Sequence, residues 1–154
     1  MAKPKLKITP KAELKLDLGC GKNKKAGFHG VDSKKFDGVD TVLNLVERDW
    51  RVSADSETTI YPGTGHVYKA WPWDDNSVIE AHSSHFVEHL EAMERVHFMN
   101  ELYRVMAPGA KAAIIVPHWA SCRAYGDLTH KWPPVSEFWF YYLSKEWRAV
   151  NAPQ

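Results

Sequence analysis

The 154-residue chain balances 20 Lys and Arg against 19 Asp and Glu, a formal charge of +1, so no basic field draws it to a nucleic-acid backbone. With 44% hydrophobic and 25% charged residues it has the make-up of one soluble globular domain, and two distant cysteines, Cys20 and Cys122, suit a reducing cytoplasm rather than a disulfide framework. No apolar run approaches the ~18 residues of a membrane helix, and the basic start MAKPKLKITPKAELK lacks the apolar stretch of a signal peptide.

Residues 1–12 read as a loose lead-in, and 13–154 as a single domain. In ELKLDLGCG, Leu14, Leu16 and Leu18 alternate with polar residues and then meet glycines, which predicts a strand running into a tight turn. FHGVD (28–32) is a second short strand and VDTVLNL (39–45) a third. The apolar pattern dissolves over 46–70, a long loop with room for a small hairpin and of a length often used for lids. WPWDDNSV is a turn, and VIEAHSS (78–84) is a fourth strand. From Ser84 to Met106 apolar residues recur every three or four positions, which predicts the longest helix, ended by Pro108-Gly109. AKAAIIVP (110–117) reads as a buried parallel strand, 117–134 as a loop on the substrate side, and FWFYYL as part of a helix from about Val135. Strands alternating with crossovers give an α/β fold with an open, mostly parallel sheet of about five strands, whose ligands bind beyond the C-terminal strand ends.

Glycines at Gly19 and Gly21 let a backbone turn approach a ligand closely. The full dinucleotide pattern G-x-G-x-x-G fails because Lys24 stands at its last glycine, and no P-loop occurs. Asp32, at the tip of the second strand, can accept hydrogen bonds from both hydroxyls of a ribose, and Asp17, just before the turn, can attract an ammonium group. Residues 85–89, HFVEH, fit the zinc pattern H-x-x-E-H, inside a run with four histidines in sixteen residues. The fourth strand runs almost into this pentad, however, so it is not wholly helical. Glu88 and His89 then read as packing or hydrogen-bonding groups, and no metal is expected. His85 sits at the strand tip and faces the cleft. His118 follows the fifth strand, and the loop AYGDLTHKW gathers Tyr125, Asp127 and His130. Asp127 either orients His130 or forms turn hydrogen bonds with Thr129. His85, His118 and His130, with Asp127, are the candidates for proton transfer.

LDLGCG, then GVD, then WPWDDNSVIEAHSSHFVEHL, then ELYRVMAPGAKAAIIVP resemble, in the same order, the motifs of class I S-adenosylmethionine-dependent methyltransferases, nearest to the type 11 group. The resemblance covers roughly 14–117. It implies a Rossmann-like sheet, with the turn Gly19-Cys20-Gly21 against the methionine part of S-adenosylmethionine and Asp32 on the ribose diol. It places Asn44 and Leu45 beside the adenine, and Ser83, Ser84 and His85 toward the methyl group. The expected acceptor is a small molecule or carbohydrate-like compound, a choice the resemblance does not dictate; near-zero charge and the lack of a long apolar run make nucleic acid and membrane unexpected. Three departures stand out. Only KNKKAG lies between Gly21 and Phe28, too short for the usual crossover helix, so that helix shrinks to one turn or vanishes. The segment 46–70 is an insertion. The family's last two strands have no counterpart before Gln154, so the expectation is either a C-terminally truncated fragment or a fifth strand whose edge is covered by the aromatic helix or by a second copy of the chain. A noncatalytic cofactor-binding domain and, less favoured, a zinc hydrolase remain as other readings.

Overall fold

A computed structural model describes residues 14–48, 58–61 and 66–152. The lead-in 1–12 and parts of the 46–70 insertion lie outside the described residues. The centre is a five-stranded, wholly parallel sheet in the order β3-β2-β1-β6-β7, built from β1 (Leu14–Leu18), β2 (His29–Asp32), β3 (Thr41–Val42), β6 (Val78–Ser84) and β7 (Met106–Ile115). This is the Rossmann-like α/β arrangement, with β7 at one edge. Within the insertion, β4 (Thr58–Tyr61) and β5 (His66–Lys69) pair antiparallel, so the hairpin the loop had room for is present.

Alternation along β1 sorts the sheet into two unlike faces. Leu16 and Leu18 join Val31 and Ala81 on the face covered by helix α1 (Ala92–Val105), where Phe98, Leu102 and Val105 are buried with them. Phe98 stands between Phe86 and Trp71, with ring centres 5.6 and 5.4 Å away. The opposite face carries Lys15, paired with Glu80 at 2.7 Å, and Asp17, paired with His82 at 2.7 Å. No helix forms between Gly21 and Phe28, as the short linker requires. Phe28 packs there instead, with the Lys25 ammonium 4.5 Å from its ring centre and His82 edge-on at 6.2 Å.

Three boundaries differ from the sequence expectation. The apolar period that runs through Phe86, Val87 and Leu90 is not yet α-helix. Val87–His89 forms one 3-10 turn, and α1 begins only at Ala92, where the Glu94 carboxylate accepts the Glu91 N–H at 2.8 Å. At the other end α1 stops at Val105, and Pro108-Gly109 falls inside β7 as an irregularity, absorbed by a register shift between Val78 and Glu80 and a Gly109 φ of 81°. The last helix is split into α3 (Glu137–Tyr141) and α4 (Lys145–Asn151), and a short α2 (Cys122–Gly126) interrupts the 117–134 loop. β7 is also less buried than its apolar run suggests, with Ala112, Ala113 and Ile115 exposed, because it borders a single neighbouring strand. No helix among the described residues is long and apolar enough to cross a membrane.

His97 of α1 is buried and stacks on Tyr68 with ring centres 4.7 Å apart. Burial holds its imidazole below the usual histidine range. The unfolded chain therefore takes up a proton below about pH 6.5 that the folded chain resists. Stability is expected to be full above that pH and to fall as pH drops through the depressed folded value. Melting temperatures from pH 7.5 to 5 in the wild type and in His97→Phe check this. The variant should lose part of the acid-side slope, and an unchanged slope would remove His97 from the account.

Candidate functional site

Two clusters lie at the C-terminal ends of the strands. The first is the turn after β1. Gly19 and Gly21 adopt φ of 71° and 54°, left-handed values that a side chain resists. The N–H groups of Gly19 and Cys20 both donate to the Val31 carbonyl, and Gly21 N–H donates to Asp32 Oδ2 at 2.9 Å. Asp32 Oδ1 accepts from Lys34 N–H at 3.0 Å. Each Asp32 oxygen thus keeps a lone pair for a further donor, which is what a ribose diol needs. A Cβ on Gly21 would meet nothing within 4 Å, so the turn is open on the side a ligand would approach. Phe86, by contrast, lies directly over Gly19, where a Cβ would come within 2.4 Å of its ring. Asn44 is exposed just past β3, where its Oδ1 accepts the Val46 N–H at 3.2 Å.

Three residues of the expected cofactor set, Asp17, Leu45 and Ser83, are placed differently. Asp17 is 2% exposed, and both its oxygens are taken, by Lys25 N–H at 2.7 Å and His82 Nδ1 at 2.7 Å. Its carboxylate anchors the 21–25 loop to β6 rather than standing open to an ammonium ion. Leu45 points into the core beneath Trp71, whose indole N–H donates to the Leu45 carbonyl at 2.8 Å, so its side chain cannot line an adenine pocket. Ser83 is also buried, on the α1 side of the sheet, whereas Ser84 faces the other way and is half-exposed. Cys20 turns its thiol inward toward Gly30, and burial, with Asp17 and Asp32 adding to it, raises the thiol pKa. It contributes backbone to the turn, not a reactive group.

The second cluster lines an open cleft of about 730 Å³ bounded by His85, Pro117, Cys122, Arg123, Asp127 and His130. His85 breaks away from β6 at a φ of 54°, and its N–H still continues the ladder to the Ile115 carbonyl at 2.8 Å. This bend is why the H-x-x-E-H residues do not form a helix face. His85 and His89 do not stack one turn apart; His85 Nδ1 meets Glu88 Oε1 at 3.1 Å, and His89 leans edge-on against His130, ring centres 4.8 Å apart.

The loop that brings His130 here is fastened by Arg95 of α1, itself buried. Its guanidinium donates to the carbonyls of Leu90 (2.9 Å), Pro133 (2.7 Å), Lys131 (3.0 Å) and, longer, Glu88 (3.5 Å). Lys131 N–H returns a hydrogen bond to the Glu88 carbonyl at 2.8 Å. Asp127 does not orient His130. Its Oδ1 accepts from the Thr129 hydroxyl (2.6 Å) and N–H (2.8 Å), which hold its carboxyl below the usual range, and it stays 3.8 Å from His130 Nε2. His130 is fixed instead by Nδ1–H donation to the Ala124 carbonyl at 3.1 Å. His118 is not brought into the cleft lining. Its ring accepts Ala120 N–H at 3.2 Å and lies 3.8 Å from Glu137 on the surface. Sequence reasoning passed over Arg95 and set Glu88 and His89 aside as packing groups; the pentad itself was the signal for the latter two.

A family model described as a methyltransferase domain matches residues 16–114. No curated protein and no solved structure matches the chain.

Proposed function

The chain belongs to the methyltransferase-domain family, and from that premise we propose that it moves the methyl group of S-adenosylmethionine onto a hydroxyl or amine of a small-molecule or carbohydrate-like acceptor. The observation that carries the choice of donor is Asp32. It is pinned by two backbone N–H groups beside an open glycine turn, and each of its oxygens has one lone pair left. When bound, the sulfonium supplies an electrophilic methyl carbon and leaves as a neutral thioether. The protein's share is then to position the acceptor, exclude water and take one proton.

His85 is the base in this reading. It lines the cleft, and Glu88 Oε1 fixes Nδ1 as the protonated nitrogen, leaving the Nε2 lone pair for the acceptor's proton. As the acceptor heteroatom bonds the methyl carbon, its proton passes to His85 Nε2. The exposed edge of the His85 ring gives that proton a way out to solvent.

Calorimetric titration with S-adenosylhomocysteine tests the donor. We expect one site per chain in the wild type and an affinity lowered by about 100-fold in Asp32→Ala, the loss of two hydrogen bonds to a charged group. Asp32→Asn should lie between, and circular dichroism confirms that the variants are folded. No heat of binding from folded wild-type protein would sink the reading.

A further inference from the structure

Glu88, His89 and His130 each offer a ligand atom, and these atoms all lie within 4.8 Å of one another. Two belong to the 3-10 turn after β6, and the third comes from the loop clasped by Arg95. We infer that these three side chains form a binding site for a divalent first-row transition metal, at the inner wall of the acceptor cleft.

The hydrogen bonds around the cluster set the protons as a metal requires. The Thr129 hydroxyl donates to Asp127 and so accepts from His89 Nδ1–H at 3.0 Å, which leaves Nε2 of His89 bare. Ala124 does the same for His130 through its carbonyl. Each imidazole therefore has its outer nitrogen tied to an oxygen acceptor, the arrangement that orients a histidine ligand and raises its basicity. Glu88 supplies the independent sign. It is 4% exposed; Oε1 is held by His85, while Oε2 is buried and has no hydrogen-bond partner among the described residues. None of the Arg95 hydrogen bonds goes to this carboxylate; they end on main-chain carbonyls. A buried carboxylate oxygen without a donor is costly, and a cation resolves it.

Ligand atoms about 2.1 Å from one ion sit roughly 3.0–3.5 Å apart, so a pair at the 4.8 Å limit closes by about 1.3–1.8 Å, within reach of side-chain rotation. Two imidazoles and one carboxylate favour zinc, manganese or a similar ion over magnesium or calcium. Three protein ligands leave a coordination position free, as in sites where a metal binds substrate, and one of them, His130, also lines the cleft. An acceptor hydroxyl on such a position becomes more acidic and gives its proton to His85 as its oxygen bonds the methyl carbon. This use of the ion rests on the methyl-transfer reading; the binding itself does not.

Chelator-treated protein titrated with Zn²⁺ by calorimetry and with Mn²⁺ by water-proton relaxation tests the site. The expected result is one ion per chain for at least one metal at micromolar affinity or tighter, with a raised melting temperature. Glu88→Gln and His130→Ala, checked for folding by circular dichroism, should each weaken binding by about 100-fold. His85→Ala should keep the stoichiometry. No stoichiometric ion from either metal, or an ion retained at full affinity in both variants, overturns the proposal. Metal bound without S-adenosylhomocysteine leaves the site standing and removes only the methyl-transfer reading; the converse removes only the metal.

Discussion

Arg95→Met is expected to cost about 3–5 kcal/mol of folding stability and to release the loop that carries His130. The substitution keeps most of the buried apolar stem and removes the charged fork. Four carbonyls, on Leu90, Glu88, Lys131 and Pro133, lose a donor at once; the bonds to Leu90 and Glu88 are buried, where water cannot readily replace the guanidinium, and those to Lys131 and Pro133 are part-buried. A domain of this size has about 5–15 kcal/mol in total, so the loss is a large share. Urea unfolding with an unchanged m-value measures it, and amide exchange at 127–134 shows whether the loop has come free. Arg95→Lys should recover little, because an ammonium cannot reach four separated acceptors. A loss under about 1 kcal/mol would mean the clasp is dispensable.

Gly19→Ala is expected to be the second severe change. It meets two obstacles at once. A left-handed φ of 71° costs a residue with a Cβ about 1–2 kcal/mol. The new Cβ would also lie 2.4 Å from the Phe86 ring, which is itself wedged on Phe98, adding roughly 1–3 kcal/mol. Chemical denaturation should therefore show about 2–5 kcal/mol lost. The double variant Gly19→Ala, Phe86→Ala should show a coupling energy that relieves the clash but not the backbone strain. Gly21→Ala separates stability from binding. Its φ is also positive but its surroundings are empty, so it should lose only about 1 kcal/mol while weakening S-adenosylhomocysteine, which would have to share that space. Additive losses in the double variant would remove Phe86 from the account.

The parallel sheet was legible because its signals are local. Leu14, Leu16 and Leu18 alternate, glycines stop the strand, and Val78–Ser84 forms over the span its sequence marks out. The start of α1 was not legible, because Phe86, Val87 and Leu90 keep a helical period while His85 bends the chain the other way. Pro108-Gly109 looked like a helix stop, yet the helix has already ended three residues earlier and the pair sits within an irregular strand. In the turn after β1, Gly19 and Gly21 could be picked out because its left-handed φ values demand glycine. Asp17 and Leu45 could not be assigned, since which way each faces depends on contacts with His82 and Trp71, far along the chain. The meeting of Glu88 and His89 with His130 spans about forty residues and depends on Arg95, so no spacing rule exposes it.

The Arg95 clasp grips main-chain oxygens, and every amino acid brings one. Its hold on the loop is therefore indifferent to the side chains carried there. Leu128, Lys131 and Trp132 all project outward, so a library that randomises these positions would vary the rim of the cleft on an unmoved support. The same indifference gives evolution, or an engineer, a way to change the chemistry of the cleft's rim without renegotiating the frame that holds it.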